Sequence, residues 1–206
     1  MHRRSFAALV GAFALAGALA AAAPADTVPQ GGGADNIVVS STHTDGTFVA
    51  RARTLVTQTS GTTVASSNIA DASAAGCTSC HATAVAVQAV VFSGSPRYYT
   101  PGNAATATNS DCLYCGTYAY AWQYLVQVDA PFTLSPAAEQ RVADLRSKID
   151  ETADSVVPAT IDDDQLLDLE LNGLTAQLRE TVDAAVSSSG THEIGPPVVR
   201  ASIQRG

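Results

Sequence analysis

Phe48, Ala50, Ala52, Thr54 and Val56 alternate along the chain with Val49, Arg51, Arg53 and Leu55. A period of two with both arginines on one side predicts a half-buried strand. The segment NIVVSST from Asn36 has the same texture, and Asp45-Gly46 and Ser60-Gly61 are suited to hairpin turns. Together these features predict a small antiparallel sheet over residues 36–75.

Farther along, two stretches 35 residues apart are copies of one another. Asn68, Ala70, Ala72, Cys77, Cys80, Ala84, Ala86, Gln88 and Val91 match Asn103, Ala105, Ala107, Cys112, Cys115, Ala119, Ala121, Gln123 and Val126. The alternation in Asn68–Ala72 and Asn103–Ala107 predicts an extended segment before each cysteine pair. After it, a helix is the better template. At 100° per residue Cys77, Cys80, Ala84, Gln88 and Val91 fall within an arc of about 80°. Ala86 lies on the opposite face, so the predicted helix is buried on two sides.

A third pattern follows Val128. Ser135-Pro136 is a helix start, with a capping hydroxyl and a proline in the first turn. Ala138, Val142, Leu145 and Ile149 then recur at four, three and four. Past a loop around Val157–Thr160, Asp162, Asp163 and Asp164 suit the positive end of a second helix, on which Leu167, Leu171, Leu174 and Leu178 recur in the same way. These helices predict an antiparallel hairpin with an apolar seam. The fold class expected is therefore α+β: an N-terminal antiparallel sheet, two pseudo-repeated CxxC-helix units about a pseudo-twofold axis, and a C-terminal antiparallel helical hairpin. The core spans 36–129, the hairpin 130–186, and the aperiodic residues 187–206 are expected to be a disordered tail.

Composition places this fold in the cell. His2, Arg3 and Arg4 precede an apolar run from Phe6 to Ala22, and Ala23-Pro24-Ala25 has the small residues a signal peptidase needs. Residues 1–25 are expected to be a signal peptide, the rival being a retained anchor, with 26–35 a flexible Pro/Gly lead-in. The full chain carries a net charge of −8; the signal holds two of its 11 basic residues and none of its 19 acids, which leaves −10. Such a chain repels phosphate backbones and anionic lipid, so neither nucleic acid nor membrane is an expected partner after cleavage. The expected location is secreted or extracytoplasmic, where an even count of four cysteines argues for disulfides.

Four chemistries suit Cys77, Cys80, Cys112 and Cys115. The first is two structural disulfides, for which three pairings exist. Bridging the copies would close a loop of more than 30 residues, worth about 3–4 kcal/mol, more than a ring within one motif. The second is thiol–disulfide exchange, since a helix N-terminus stabilises a thiolate. However, the βαβ frame usual for such a motif is not evident. The third is a c-type haem on Cys77, Cys80 and His81, although Gly116 replaces the histidine in the second copy and no methionine follows Met1. The fourth is zinc held by all four cysteines, against which stand the 31 residues between pairs and an oxidising compartment.

Other chemistries lack their residues. The four histidines are dispersed with no His-Glu-x-x-His, and neither Gly-x-Ser-x-Gly nor a phosphate-cradling glycine loop occurs. Asp162–Asp164 lacks the glycine and closing glutamate of a calcium loop. Gln88 and Gln123 are expected to bond to each other across packed helices, and Tyr118, Tyr120, Trp122 and Tyr124 to be core.

The duplicated Cys-x-x-Cys-x-x-x-Ala-x-Ala-x-Gln, the Asn-x-Ala-x-Ala before each copy and the tail from Leu134-Ser135-Pro136 resemble a group of actinobacterial secreted proteins of unknown function. Some of these carry a peptide zinc metalloprotease label. The resemblance covers about residues 36–185. It implies export and a cysteine-paired duplicated core, and brings no catalytic residues. The expectation for function is a secreted non-enzymatic structural or binding protein, stabilised by two disulfides and without a cofactor, whose partner is an extracellular protein or cell-surface component. The alternative is an extracytoplasmic redox protein, either a monohaem electron carrier or a CxxC thiol oxidoreductase.

Overall fold

A computed structural model describes residues 35–206. The signal sequence and all of the lead-in except Asp35 lie outside the described residues. From Asn36 the chain winds through strands β1 (Asn36–Thr42), β2 (Phe48–Ser60), β3 (Thr63–Val64), β4 (Ser67–Ala75), β5 (His81–Ser93), β6 (Tyr98–Tyr99), β7 (Gly102–Ser110) and β8 (Gly116–Val128). Helices α1 (Pro136–Ser155) and α2 (Ile161–Ser188) follow, and strand β9 (Val198–Arg205) ends the chain.

Every pairing among the first eight strands is parallel. The sheets run β1-β4-β7, β2-β5-β8-β9 and β3-β6, with β9 alone antiparallel, on β8. The chain therefore makes three stacked coils, each crossing from the first sheet to the second at one corner; the first two return past β3 and β6, and the third leads into α1. Asn36 lies over Asn68 and Asn68 over Asn103; Phe48 lies over His81 and His81 over Gly116.

This overturns the expected fold class. Asp45-Gly46 does not close a hairpin: it turns the chain from β1 in one sheet to β2 in another. The segments after the cysteines are strands, not helices, and stack by translation instead of about a pseudo-twofold axis. Gln88 and Gln123 accordingly meet across neighbouring strands, with Gln123 Nε2 donating to Gln88 Oε1 at 2.7 Å. The tail expected to be disordered contributes β9, whose Ser202 and Gln204 side chains accept bonds from the backbone of Ala105 and Ala107 on β7.

Two cores explain the strand pattern. Between the first two sheets lie Val38, Ala70, Ala72, Ala82, Ala84, Ala86, Ala105, Ala119 and Ala121, small side chains that let the sheets approach closely. On the other face, Val85, Val87 and Ala89 of β5 and Tyr118, Tyr120, Trp122 and Tyr124 of β8 pack under the helices. From α1 come Val142, Leu145 and Ile149, and from α2 Leu167, Leu171, Leu178 and Val182. Both helix starts are capped: Ser135 accepts from Ala138 N, and Thr160 forms a capping box with Asp163.

The interior also holds a ladder of amides. Asn36 Nδ2 donates to Asn68 Oδ1 at 2.8 Å, and Asn68 Nδ2 to Asn103 Oδ1 at 2.7 Å. Each amide also reaches across to the facing sheet: Asn36 to the carbonyls of Arg53 and Val87, Asn68 to Ala86 and Trp122, Asn103 to Ala121. The ladder ties three coils and two sheets together without a covalent bond.

Candidate functional site

The corner between the first two sheets carries all four cysteines. Cys77–Cys80 joins β4 to β5, and Cys112–Cys115 joins β7 to β8 one coil farther on. Each turn needs left-handed backbone at two places: the residue before the first cysteine (Gly76, φ 63°; Asp111, φ 50°) and the residue before the second (Ser79, φ 54°; Tyr114, φ 57°). This repeated conformation brings the two sulfurs of each motif together. The turns are themselves stacked, with Ser79 N donating to Leu113 O at 2.8 Å and Leu113 N to Cys77 O at 3.2 Å.

The sulfurs pair within each motif, as Cys77–Cys80 and Cys112–Cys115. Rings this small remove little freedom from the unfolded chain, about 2 kcal/mol each. They do not join one coil to the next. Yet the two disulfides touch: Cys80 Sγ lies 3.2 Å from Cys115 Sγ and 3.6 Å from Cys112 Sγ, and Cys77 Sγ lies 3.8 Å from Cys112 Sγ. Cys77 and Cys80 are buried, whereas Cys112 and Cys115 are half-exposed. Among the described residues, these four form the group of metal-capable side chains within ligating reach, all sulfurs lying within 4.8 Å of one another.

His81 begins β5 directly after this corner. Its Nδ1 lies 3.2 Å from the carbonyl oxygen of Pro158, in the loop between the helices. Gly116 occupies the equivalent place one coil on, and a Cβ there would sit 1.7 Å from the same oxygen. The unmatched histidine and glycine are thus explained by one loop that both must accommodate. Cys77 and Cys80, bonded to each other, directly precede His81. His43 does not join His81; its ring contacts Ser41 and the carbonyl of Ala75. His192 is placed elsewhere, its backbone bonded to Asp129.

One polar array went unread in the sequence. Tyr118 donates to Asp168 at 2.8 Å, Tyr120 to Asn172 at 3.0 Å, and Tyr124 to Asp183. Arg205 on β9 pairs with Asp164 and Asp168. Burial pushes all three phenols up, that of Tyr120 to about 12; the hydrogen bonds to Asp168 and Asp183 add to the effect at Tyr118 and Tyr124. The signal available in the sequence was the alternation of Tyr118, Tyr120, Trp122 and Tyr124, which sets one strand face against α2. Burial also raises the Asp164 carboxyl, an effect that Arg205 offsets.

Two disulfides belong to an oxidising environment outside the cytoplasm. No helix among the described residues is long and apolar enough to cross a membrane. The chain matches no family model, no curated protein and no solved structure.

Proposed function

We propose that this is an exported, non-enzymatic structural or binding protein built on a rigid stack of coils, acting on an extracellular protein or cell-surface component. The observation that carries the reading is the amide ladder. Polar side chains able to hydrogen-bond are committed to holding strands in register, as the buried Asn36 and Asn68 and the half-buried Asn103 are. The tyrosine hydroxyls likewise serve to seat α2 on β8. The resemblance to actinobacterial secreted proteins and the apolar, Ala-rich segment at residues 6–22 support export.

One observation favours the second reading, a thiol oxidoreductase. Cys112–Cys115 is half-exposed and so open to a reductant. Turnover decides between them. Purified mature protein at catalytic concentration is expected to leave the rate of insulin reduction by a small dithiol unchanged. A clear acceleration, lost in Cys112→Ser, would replace the structural reading with the redox one. Fractionation of producing cells checks export: the protein is expected outside the cytoplasm, shortened by about the signal length.

A further inference from the structure

The disulfides leave one fact unexplained. Four sulfurs from two coils converge on one point, although their pairing ties neither coil to the other. A metal would use that convergence. Zinc–thiolate bonds of about 2.3 Å set the edges of a tetrahedral four-sulfur site at about 3.8 Å. Three of the four distances between the two pairs are already 3.2, 3.6 and 3.8 Å, and the fourth, Cys77 to Cys115, is within 4.8 Å. The main movement needed is separation of the partners within each pair, across turns of the i, i+3 spacing that zinc knuckles share.

We propose that, once reduced, Cys77, Cys80, Cys112 and Cys115 form a single site for a thiophilic divalent cation, zinc being the chemical type. In the oxidised form each ring is confined to its own coil. In the metal form one ion would clamp the second coil to the third through four bonds. The site therefore exchanges two local rings for one crosslink between coils.

The reduction needs a dithiol donor. Two dithiol molecules each pass two electrons and two protons to one cysteine pair, becoming disulfides themselves and leaving four protein thiols. The cation then displaces four protons and is held by four thiolates. The half-exposed Cys112–Cys115 is the entry point. Attack by the Cys115 thiolate on Cys80, 3.2 Å away, forms a Cys80–Cys115 bond and releases Cys77 as a thiolate, carrying reduction to the buried pair.

The test uses the full mature chain. It is reduced with a phosphine, freed of reductant without air, and titrated with cobalt(II) as a spectroscopic stand-in, then with zinc. Expected are one cobalt per chain, the intense visible bands and thiolate charge-transfer absorption of a tetrahedral four-sulfur site, and their loss when zinc is added. Cys80→Ser and Cys115→Ser, from different coils, should each abolish the four-thiolate spectrum. Two metals per chain, a weak octahedral spectrum, or a spectrum surviving either substitution would overturn the proposal. So would collapse of the sheet circular-dichroism signal on reduction that zinc fails to restore. An oxidised sample, in which all four sulfurs are bonded, should bind none.

Discussion

Removing the central amide of the ladder is the sharpest test of what holds the coils in register. Asn68 is fully buried and donates at 3.0 Å to Ala86 O, 3.0 Å to Trp122 O and 2.7 Å to Asn103 Oδ1, while accepting from Asn36 at 2.8 Å. Asn68→Ala deletes all four contacts. Asn36 keeps its bonds to Arg53 and Val87, but the acceptors facing position 68 lose a donor inside an alanine-lined core that admits no compensating side chain. Leaving two such groups unsatisfied at about 1–3 kcal/mol each, with a small void added, predicts a loss of about 3–5 kcal/mol. That is a large share of a domain's total stability. Asn103→Ala is the control: Asn103 is half-buried, loses one donated and one accepted bond, and should cost about 1–2 kcal/mol. Urea unfolding of the oxidised protein, followed by the fluorescence of the single tryptophan, Trp122, measures both. Equal costs for the two variants, or a cost below about 1 kcal/mol for Asn68→Ala, would refute the ladder as a main determinant of the fold.

Three further outcomes follow from local geometry. Gly116→Ala should lower stability by about 1–3 kcal/mol, because the new Cβ would meet Pro158 O at 1.7 Å and force the interhelix loop away; an unchanged urea midpoint would count against that packing. Tyr114→Gly should stabilise by up to about 1 kcal/mol, since Tyr114 is 83% exposed and holds φ 57°, while Tyr114→Val should destabilise by a similar amount; thermal melts of the two should move in opposite directions. The folded state holds the Tyr120 proton to about pH 12, against an ordinary value of 10.0, so its stabilising effect is complete below pH 10 and is lost as pH rises from 10 to 12. Tyr118 and Tyr124 shift in the same direction, so absorbance titration should show three of the six tyrosines ionising only together with unfolding; smooth ionisation of all six before loss of sheet signal would contradict the buried array.

The helical segments and the corner cysteines were legible, while the coil architecture was not. Val142, Leu145 and Ile149, and Leu167, Leu171 and Leu178, recur at helical spacing and are buried on α1 and α2. The misreading came from the segments after the cysteines. The five residues placed on one helical arc included Cys77 and Cys80, which belong to a turn and not to the strand that follows. Without them, Ala84, Ala86 and Gln88 recur at every second position, the strand period, and face the interior. Neither β5 nor β8 shows polar–apolar alternation, because the facing sheet covers one side and the helices the other, as is usual in parallel sheets. Alanine-rich strands further hide the β signal. The first coil had one available clue: Asn36-x-Val38-x-Ser40 repeats the spacing of Asn68-x-Ala70-x-Ala72 without any cysteine to mark it. The parallel register pairs these two segments residue for residue.

The antiparallel strand on β8 bears on how this scaffold can change in length. Strand β9 closes the C-terminal end of the stack, bonding along β8 while its side chains occupy backbone donors of β7. New turns of the chain cannot be appended there without displacing it. Residues 67–101, by contrast, have a like neighbour on either side, and a second copy inserted after Pro101 would meet matching amides and strands above and below. Elongation would thus proceed from the middle in whole-turn increments of about 4.8 Å, the spacing between paired strands, carrying β9 and α2 outward with β8 while α1, whose Arg146 donates to Thr54 O on β2, stays with the first coil.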